Sequence, residues 1–480
     1  MGLSQVFFFI YLYTILILCR FYLHGLNLKE GKLKGMKNKS VLSKHFSPFQ
    51  IIIMSFASVI LLGALLLMLP ICNQQGVWTP FLDALFTATS ATCVTGLVVK
   101  DTASYWNGLG QLIILILIQI GGLGVITMIS TMYMLTGRRL SLLHRHTMRE
   151  SIAAPKLSGM VRFTRFILKG TFLFEGIGCL LLCLVFIPEN GWIGLWQAFF
   201  HSISAFCNAG FDVLGTASHP FVSLTRYALN PIVNITIISL IIFGGLGFMT
   251  WDDMRSHKWH IHRYCLQTKI IIATTFFLLV IPAIIFFVSE FSDQPLQQRF
   301  WYSIFQSVTP RTAGFNTVNY ANMSDSSLLI TMLLMLIGGS PGSTAGGLKT
   351  TTFAVLVFNV IATFRQKGDV ECFGRRISHR IIGTASTILM FYLMAWMSSA
   401  IVISMIENIS VKTCLFETAS AIGTVGLTMG ITPQLSNVSH LILIGLMFLG
   451  RTGGLTLVYA TLSENKKTKG RYPKGQISVG

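Results

Sequence analysis

The sequence predicts an all-α polytopic membrane protein built from four fused, pseudo-symmetric helix–pore loop–helix repeats around a central pore. Three observations carry that prediction. Only 11% of the 480 residues are charged and 52% are hydrophobic, whereas a soluble globule carries about a quarter charged residues. Apolar runs of about 20 residues recur along the chain, the length that crosses roughly 30 Å of hydrocarbon. One short motif also returns four times at near-equal intervals, the mark of an internal repeat.

Charge sets the sidedness. The formal net charge is +19, with Lys and Arg concentrated at 29–44, 138–169, 255–269, 365–380 and 466–474. The intervening segments 71–79, 188–191, 291–298 and 407–410 are nearly free of both. Positive residues stay inside, so the basic stretches and the C-terminus are expected to be cytoplasmic, with membrane lipid and not nucleic acid as their surroundings. Nine cysteines, most of them in apolar segments (Cys93, Cys179, Cys207, Cys414), form no C-x-x-C pair; they read as small buried residues. At the N-terminus, residues 6–23 read as an extra transmembrane or interfacial helix, and a start at Met36 is the competing reading.

Residues 1–47 form an N-terminal extension. Repeat 1 (48–140) holds a spanning candidate at about 50–70, a short apolar run at 80–91, the stretch TATSATCVTGLVVKD at 87–101, and a second spanning candidate at about 109–135. Repeat 2 (160–255) has candidates at 166–187 and 227–250 around a short run at 194–206 and the motif HSISAFCNAGFD from His201. Repeat 3 (265–365) places QSVTPRTAGFNT from Gln306 between 269–289 and 327–363. Repeat 4 (378–463) places ETASAIGTVGLT from Glu417 between 381–405 and 437–461, and residues 464–480 form a basic tail. The motifs align on Gly96, Gly210, Gly314 and Gly426. A Phe stands ten residues before the glycine in three copies (Phe86, Phe200, Phe416) and a Ser six before (Ser90, Ser204, Ser420). The third copy is one residue out of step, with Phe305 and Ser307.

Runs of about 12 residues are too short to span, so each must dip into the membrane and return. Non-helical backbone at that depth survives only against protein or water. Four such loops around one axis would offer backbone carbonyls to a desolvating cation, with glycine supplying the positive φ that turns carbonyls inward. The half-helices would point their negative ends at the same ion. The competing reading is four glycines that merely pack helices closely.

A second set of glycines follows: GGLG at 121–124, GGLG at 244–247, GGSPGSTAGGLKTTT from Gly338 and GRTGGLT from Gly450. The third copy is a poor helix, since Pro341 removes a donor and restricts Ser340. Gly338, Gly339, Ser340, Pro341, Gly342, Ser343, Thr344, Ala345, Gly346 and Gly347 therefore read as an unwound gate below the filter, or else as a static kink. Lys349 closes the segment and either gates or snorkels to the interface. Arg451 replaces the second glycine of the motif, and a charge at that depth is expensive and usually functional. It reads as an electrostatic barrier and a partner of loop carbonyls; the alternative is a structural pair with Asp83, Glu175 or Glu417. Arg311 reads as a brace behind the third loop, against Glu417.

The stretches CVTGL, FCNAGFD, PRTAGFNT and TVGLT resemble the four filter loops of the Trk/Ktr/HKT potassium transporter superfamily. Over residues 48–463 the similarity is greatest to the membrane subunit of bacterial Ktr systems. The resemblance implies coordinating carbonyls on Val94, Thr95 and Gly96; Asn208, Ala209 and Gly210; Thr312, Ala313 and Gly314; and Thr424, Val425 and Gly426. It also implies a mobile intramembrane loop, a homodimer in the bacterial inner membrane, and a cytoplasmic KtrA-type regulatory ring. Potassium is then the substrate, sodium a candidate co-ion, and nucleotide is expected only on the partner subunit, with no cofactor in this chain. A serine in place of Gly96 is associated with sodium selectivity in the family, so Gly96 favours potassium over the alternative of a sodium-selective or unselective transporter. A polytopic membrane enzyme is the remote alternative: His201, Asp212, Glu175 and His219 offer acid–base groups, but no H-E-x-x-H, G-x-S-x-G or Walker-type motif accompanies them.

Overall fold

The computed structural model describes residues 47–128 and 159–456, apart from Ile126 and Leu455. The 6–23 segment, Met36, much of the 138–169 stretch, the outer ends of repeats 1 and 4 and the 464–480 tail lie outside the described residues. Fourteen α-helices and one hairpin are described. They are α1 (Pro48–Leu67), α2 (Phe81–Cys93), α3 (Gly108–Leu123), α4 (Met160–Asn190), α5 (Trp192–Phe206), α6 (Pro231–Gly245) and α7 (Phe248–His257). Then come α8 (Leu266–Ile285), α9 (Leu296–Val308), α10 (Asp325–Leu336), α11 (Thr350–Phe364), α12 (His379–Glu407), α13 (Val411–Gly423) and α14 (Asn437–Thr452).

The segments Phe49–Leu67, Val161–Asn190, Leu266–Glu290 and His379–Glu407 are long and apolar enough to cross a membrane. Their outward faces carry large apolar side chains, such as Leu61, Leu62 and Leu65 on α1, Phe172, Leu180 and Leu184 on α4, and Met390, Met394 and Met397 on α12. An apolar exterior of this extent is a lipid-facing surface. Local chemistry sets the helix starts. Ser47 and Gln50 form a reciprocal capping box before α1, and Asn107 and Asn230 each accept two backbone N–H bonds at the starts of α3 and α6. Such side chains satisfy donors that the first helical turn leaves unpaired.

After each long helix comes a short one: α2, α5, α9 and α13, of 13, 15, 13 and 13 residues. At 1.5 Å per residue none exceeds about 23 Å, so none crosses the hydrocarbon alone. The helix that follows each of these packs on the short helix of the next run. Thus α3 packs on α5, α6 on α9, α10 on α13, and α14 back on α2. The sequence of contacts closes into a ring.

The second spanning candidates are not continuous helices. α3 stops at Gly124 (φ +85), α6 at a bend before Gly247 (φ +89), α10 at Ile337, and α14 at Gly453 (φ +82). α6 and α7 meet at 94°. The GGLG copies, which look uninterrupted in sequence, therefore break too, because their last glycine takes a conformation closed to most side chains. Their first glycine has a separate cause. A methyl group added at Gly121, Gly244 or Gly450 would fall 2.0–2.1 Å from the carbonyl oxygens of Thr92, Phe206 and Ile422, near the ends of the short helices. Gly244→Ala is expected to cost about 1–3 kcal/mol through overpacking, read as a lower melting temperature of the detergent-solubilised protein; an unchanged midpoint would contradict the close approach.

Besides two isolated bridges, Asn73 with Trp106 and Ile337 with Leu348, the one β-sheet among the described residues is an antiparallel hairpin, β1 (Val370–Cys372) with β2 (Arg375–Ile377). Its two-residue turn has Phe373 and Gly374 at φ 47 and 71, the twist that tight hairpins favour.

Candidate functional site: a ring of four glycines

Each short helix runs into a strand with the same unusual backbone. Val94, Asn208, Thr312 and Thr424 take φ of 57, 59, 63 and 52, and the glycines two residues on, Gly96, Gly210, Gly314 and Gly426, take +92, +69, +78 and +93. Left-handed conformation at a β-branched residue costs on the order of 1–3 kcal/mol and persists where surrounding structure imposes it. Here backbone bonds impose it. The N–H groups of Thr95, Ala209 and Val425 donate to the carbonyls of Ser90, Ser204 and Ser420, each at 2.8 Å, and Ala313 donates to Thr309 at 3.0 Å.

The four strands meet edge to edge. A methyl group added at Gly96 would lie 2.4 Å from the carbonyl oxygen of Ala209; at Gly210, 2.7 Å from that of Ala313; at Gly314, 2.3 Å from that of Val425; and at Gly426, 2.3 Å from that of Thr95. The order 96, 210, 314, 426 and back to 96 closes a circle of glycines, each facing the carbonyl beside the next. All twelve residues assigned from the resemblance lie in these strands and are buried.

Hydroxyls behind the ring hold it. Ser90 and Ser420 accept from the Gly96 and Gly426 N–H groups at 3.1 and 3.0 Å, while Ser204 donates to the Phe211 carbonyl at 2.8 Å. In the third strand this place belongs to Thr309, which donates to Phe315 at 2.7 Å, and not to Ser307, whose hydroxyl bonds the Leu279 carbonyl on α8. Counting from the buried phenylalanines explains it: Ser90, Ser204, Thr309 and Ser420 each stand four residues after Phe86, Phe200, Phe305 and Phe416.

Above the ring opens a cavity of about 290 Å³, lined by all four glycines and by Asp101 and Asp212. Asp101 is fixed by N–H bonds from Ser104 and Phe221, both at 2.8 Å, and Asp212 accepts from Leu214 at 3.2 Å. In the sequence Asp212 reads only as an acid–base group and Asp101 carries no assignment; their places, two and five residues after Gly210 and Gly96, are the signal for both.

Below the ring, residues 338–349 lie across the broken helix ends. Ser340 and Thr344 donate to the Gly245 and Gly244 carbonyls at 3.0 and 3.3 Å, and Gly347 to that of Gly450 at 3.2 Å. The Thr344 hydroxyl lies 3.1 Å from the Phe206 carbonyl and 3.3 Å from Asn208 Oδ1, and a methyl at Gly346 would meet Thr424 Oγ1 at 2.2 Å. Arg451 donates to the carbonyls of Thr344 and Gly121, and to that of Gly122 at 3.1 Å. Lys349 Nζ turns back on the segment, 2.8 Å from the Ala345 carbonyl and 3.3 Å from that of Gly346. It does not snorkel outward.

The carboxylates named as alternative partners of Arg451 are engaged elsewhere. Asp83 faces Lys100 at 3.7 Å, Glu175 accepts from Gln119 at 3.0 Å, and Glu417 accepts from Thr432 and the Met429 N–H at 2.9 and 3.1 Å. Glu417 thus secures the loop after its own strand and does not pair with Arg311. The Arg311 carbonyl instead accepts from Asn208 Nδ2 at 3.3 Å. His201 is fully buried against Phe186, Phe200 and Phe315, with Nδ1 2.7 Å from the Gln197 carbonyl. It is a packing residue, and its ring bonds neither the Glu175 carboxylate nor the exposed His219 among the described contacts.

The sequence matches the TrkH family, described as a cation transport protein, over residues 20–468. It is 39% identical to the potassium/sodium uptake protein NtpJ of Enterococcus hirae, covering 92% of this chain and 99% of that one. It is 36% identical to the Ktr system potassium uptake protein B of Bacillus subtilis, again over 92% and 99%. The fold superposes on the potassium transporter TrkH of Vibrio parahaemolyticus with a TM-score of 0.70 at 16% identity, covering 88% of this chain and 87% of that one.

Proposed function

The chain belongs to the TrkH family of cation transport proteins, whose members are transporters and not enzymes, and from that premise we propose that it takes up potassium through the ring of four glycines. The observation that carries this reading is the closed circle of carbonyls beneath an open, acidic cavity. A cation entering past Asp101 and Asp212 loses water and finds the oxygens of Thr95, Ala209, Ala313 and Val425 in its place. The short helices aim their negative ends at the space below. We read the four runs as fused repeats (48–140, 160–255, 265–365 and 378–463), with Val94, Asn208, Thr312 and Thr424 completing the filter strands.

The segment from Gly338 to Gly347 is the gate in this reading, latched by Lys349 and by Arg451. The guanidinium occupies carbonyls of Thr344, Gly121 and Gly122 that would otherwise attract a cation, and adds a positive charge below the filter. Asn208 ties filter to gate, since its amide reaches Thr312 Oγ1 at 3.2 Å and its oxygen faces Thr344. Identity to a protein named for a Ktr system supports a partnership with other Ktr components; we infer a homodimer with a KtrA-type ring on the basic, cytoplasmic side of the bacterial inner membrane, with the C-terminus on that side. Nucleotide belongs to that partner. Sodium enters as a stimulating co-ion.

The second reading, a sodium-conducting or unselective transporter, is favoured by one observation: the 39% identical relative is named for potassium and sodium together. Flux into proteoliposomes decides. Potassium uptake is expected to exceed sodium uptake by about tenfold or more, the effect of about 1.4 kcal/mol of discrimination. Equal rates would favour the second reading, and no cation flux would sink both.

A further inference from the structure

At the foot of α8 the turn Ile261–Arg263 and the β1–β2 hairpin enclose a cavity of about 390 Å³. His257, His262, Arg263, Lys269, Phe373 and Arg375 line it. None of its lining residues belongs to the filter strands or to the 338–349 segment.

Local acids do not neutralise it. On the hairpin, Asp369 holds Arg376 at 2.8 Å and Glu371 holds Lys367 at 3.4 Å. Asp253 is taken by His257 at 2.9 Å and by the Cys265 N–H at 2.9 Å, which also fixes the turn to the start of α8. Arg263, Lys269 and Arg375 have no carboxylate within ion-pair distance among the described residues; Lys269 donates only to the His262 carbonyl, at 2.9 Å. Three cations thus converge on one cavity, while Asp253, Asp369 and Glu371 are engaged with other partners.

The level of the cavity narrows the ligand. Lys269 stands in the first turn of the span Leu266–Glu290, so the cavity opens where headgroups lie. Phe373, which lines it, is 54% exposed, and Trp259 and Ile261, in the same chain segment as His257 and His262, are 95% and 63% exposed. Exposed aromatic and aliphatic groups beside cations suit an amphiphile at the interface, not an ion in bulk water. We propose that this cavity binds the phosphate of an anionic phospholipid from the leaflet on the basic side. Arg263 and Arg375 clamp the phosphate oxygens from turn and hairpin, Lys269 adds charge from below, and the acyl chains run along α8. The inference rests on the membrane reading of the fold and is independent of ion selectivity.

Native mass spectrometry of the full-length protein in detergent, titrated with phosphatidylglycerol and with phosphatidylcholine, tests it. Phosphatidylglycerol is expected to bind preferentially. The double variant Arg263→Gln/Arg375→Gln is expected to weaken it by about tenfold or more, and the paired hairpin residue, in Arg376→Gln, to leave it unchanged. Should the double variant unfold, Lys269→Gln, checked by melting temperature, is expected to give a smaller loss of the same kind. Equal binding of both lipids, or undiminished phosphatidylglycerol binding in the folded variants, would overturn the proposal. So would inorganic phosphate occupying the cavity while phosphatidylglycerol does not, or the variants losing only a soluble protein partner. Binding is read directly, so failure of potassium flux would count against the transport reading alone.

Discussion

Deleting part of the 340–346 segment, or replacing Arg451 with alanine, is expected to raise potassium flux about tenfold or more while leaving the potassium/sodium ratio unchanged. A unit charge about 4 Å from a cation's path opposes it by about 4 kcal/mol at an effective dielectric near 20. Recovering only about a third of that is tenfold in rate. Arg451→Ala also frees the Thr344, Gly121 and Gly122 carbonyls, so charge and latch are lost together. Arg451→Gln separates them: it keeps a hydrogen-bond donor but no charge, and is expected to give an intermediate gain. Both changes should weaken dependence on a cytoplasmic regulator, because the element on which such a regulator is proposed to act is gone or loosened. Wild-type flux and regulation after the deletion would reduce residues 338–349 to a kink. Loss of folding in both Arg451 variants would make the arginine a structural staple.

Gly96→Ser is expected to lower the potassium/sodium permeability ratio about tenfold or more. At φ +92 a side chain is strained, and its Cβ would stand 2.4 Å from the Ala209 oxygen, one of the four carbonyls proposed to surround the ion. The neighbouring carbonyl must then turn or retreat. About 1.4 kcal/mol of lost discrimination produces the tenfold change, well within the cost of such a clash. An unchanged ratio in a folded variant would remove Gly96 from the filter.

Much of this arrangement is legible in the chain because one short glycine motif recurs four times in it. Length and polarity separate the four long helices from the four short ones, and four aligned glycines locate strands that the structure brings edge to edge. Two features escape such a reading. Val94, Thr312 and Thr424 are β-branched, which argues locally against left-handed backbone, yet tertiary bonds impose it. The GGLG copies keep an apolar helical pattern through their break, so the bend at Gly247 and the stop at Gly124 depend on what packs beside them. The third copy misleads for a simpler reason: aligned on the glycine it offers Ser307, aligned on Phe305 it offers Thr309, and the helix counts from the phenylalanine. Ion partners were the least legible. Arg451 bonds backbone carbonyls and Glu417 bonds hydroxyls and a backbone N–H, and sequence spacing does not rank such partners against a carboxylate–guanidinium pair.

The central claim, that the circle of glycines is where the ion sheds its water, is tested most directly by locating a heavy potassium surrogate. In crystals grown with rubidium or thallium, anomalous density is expected on the axis between the carbonyls of Thr95, Ala209, Ala313 and Val425, and is expected to fade as sodium replaces the surrogate. Strong density confined to the outer cavity beside Asp101 and Asp212, with none within the ring, would contradict the account.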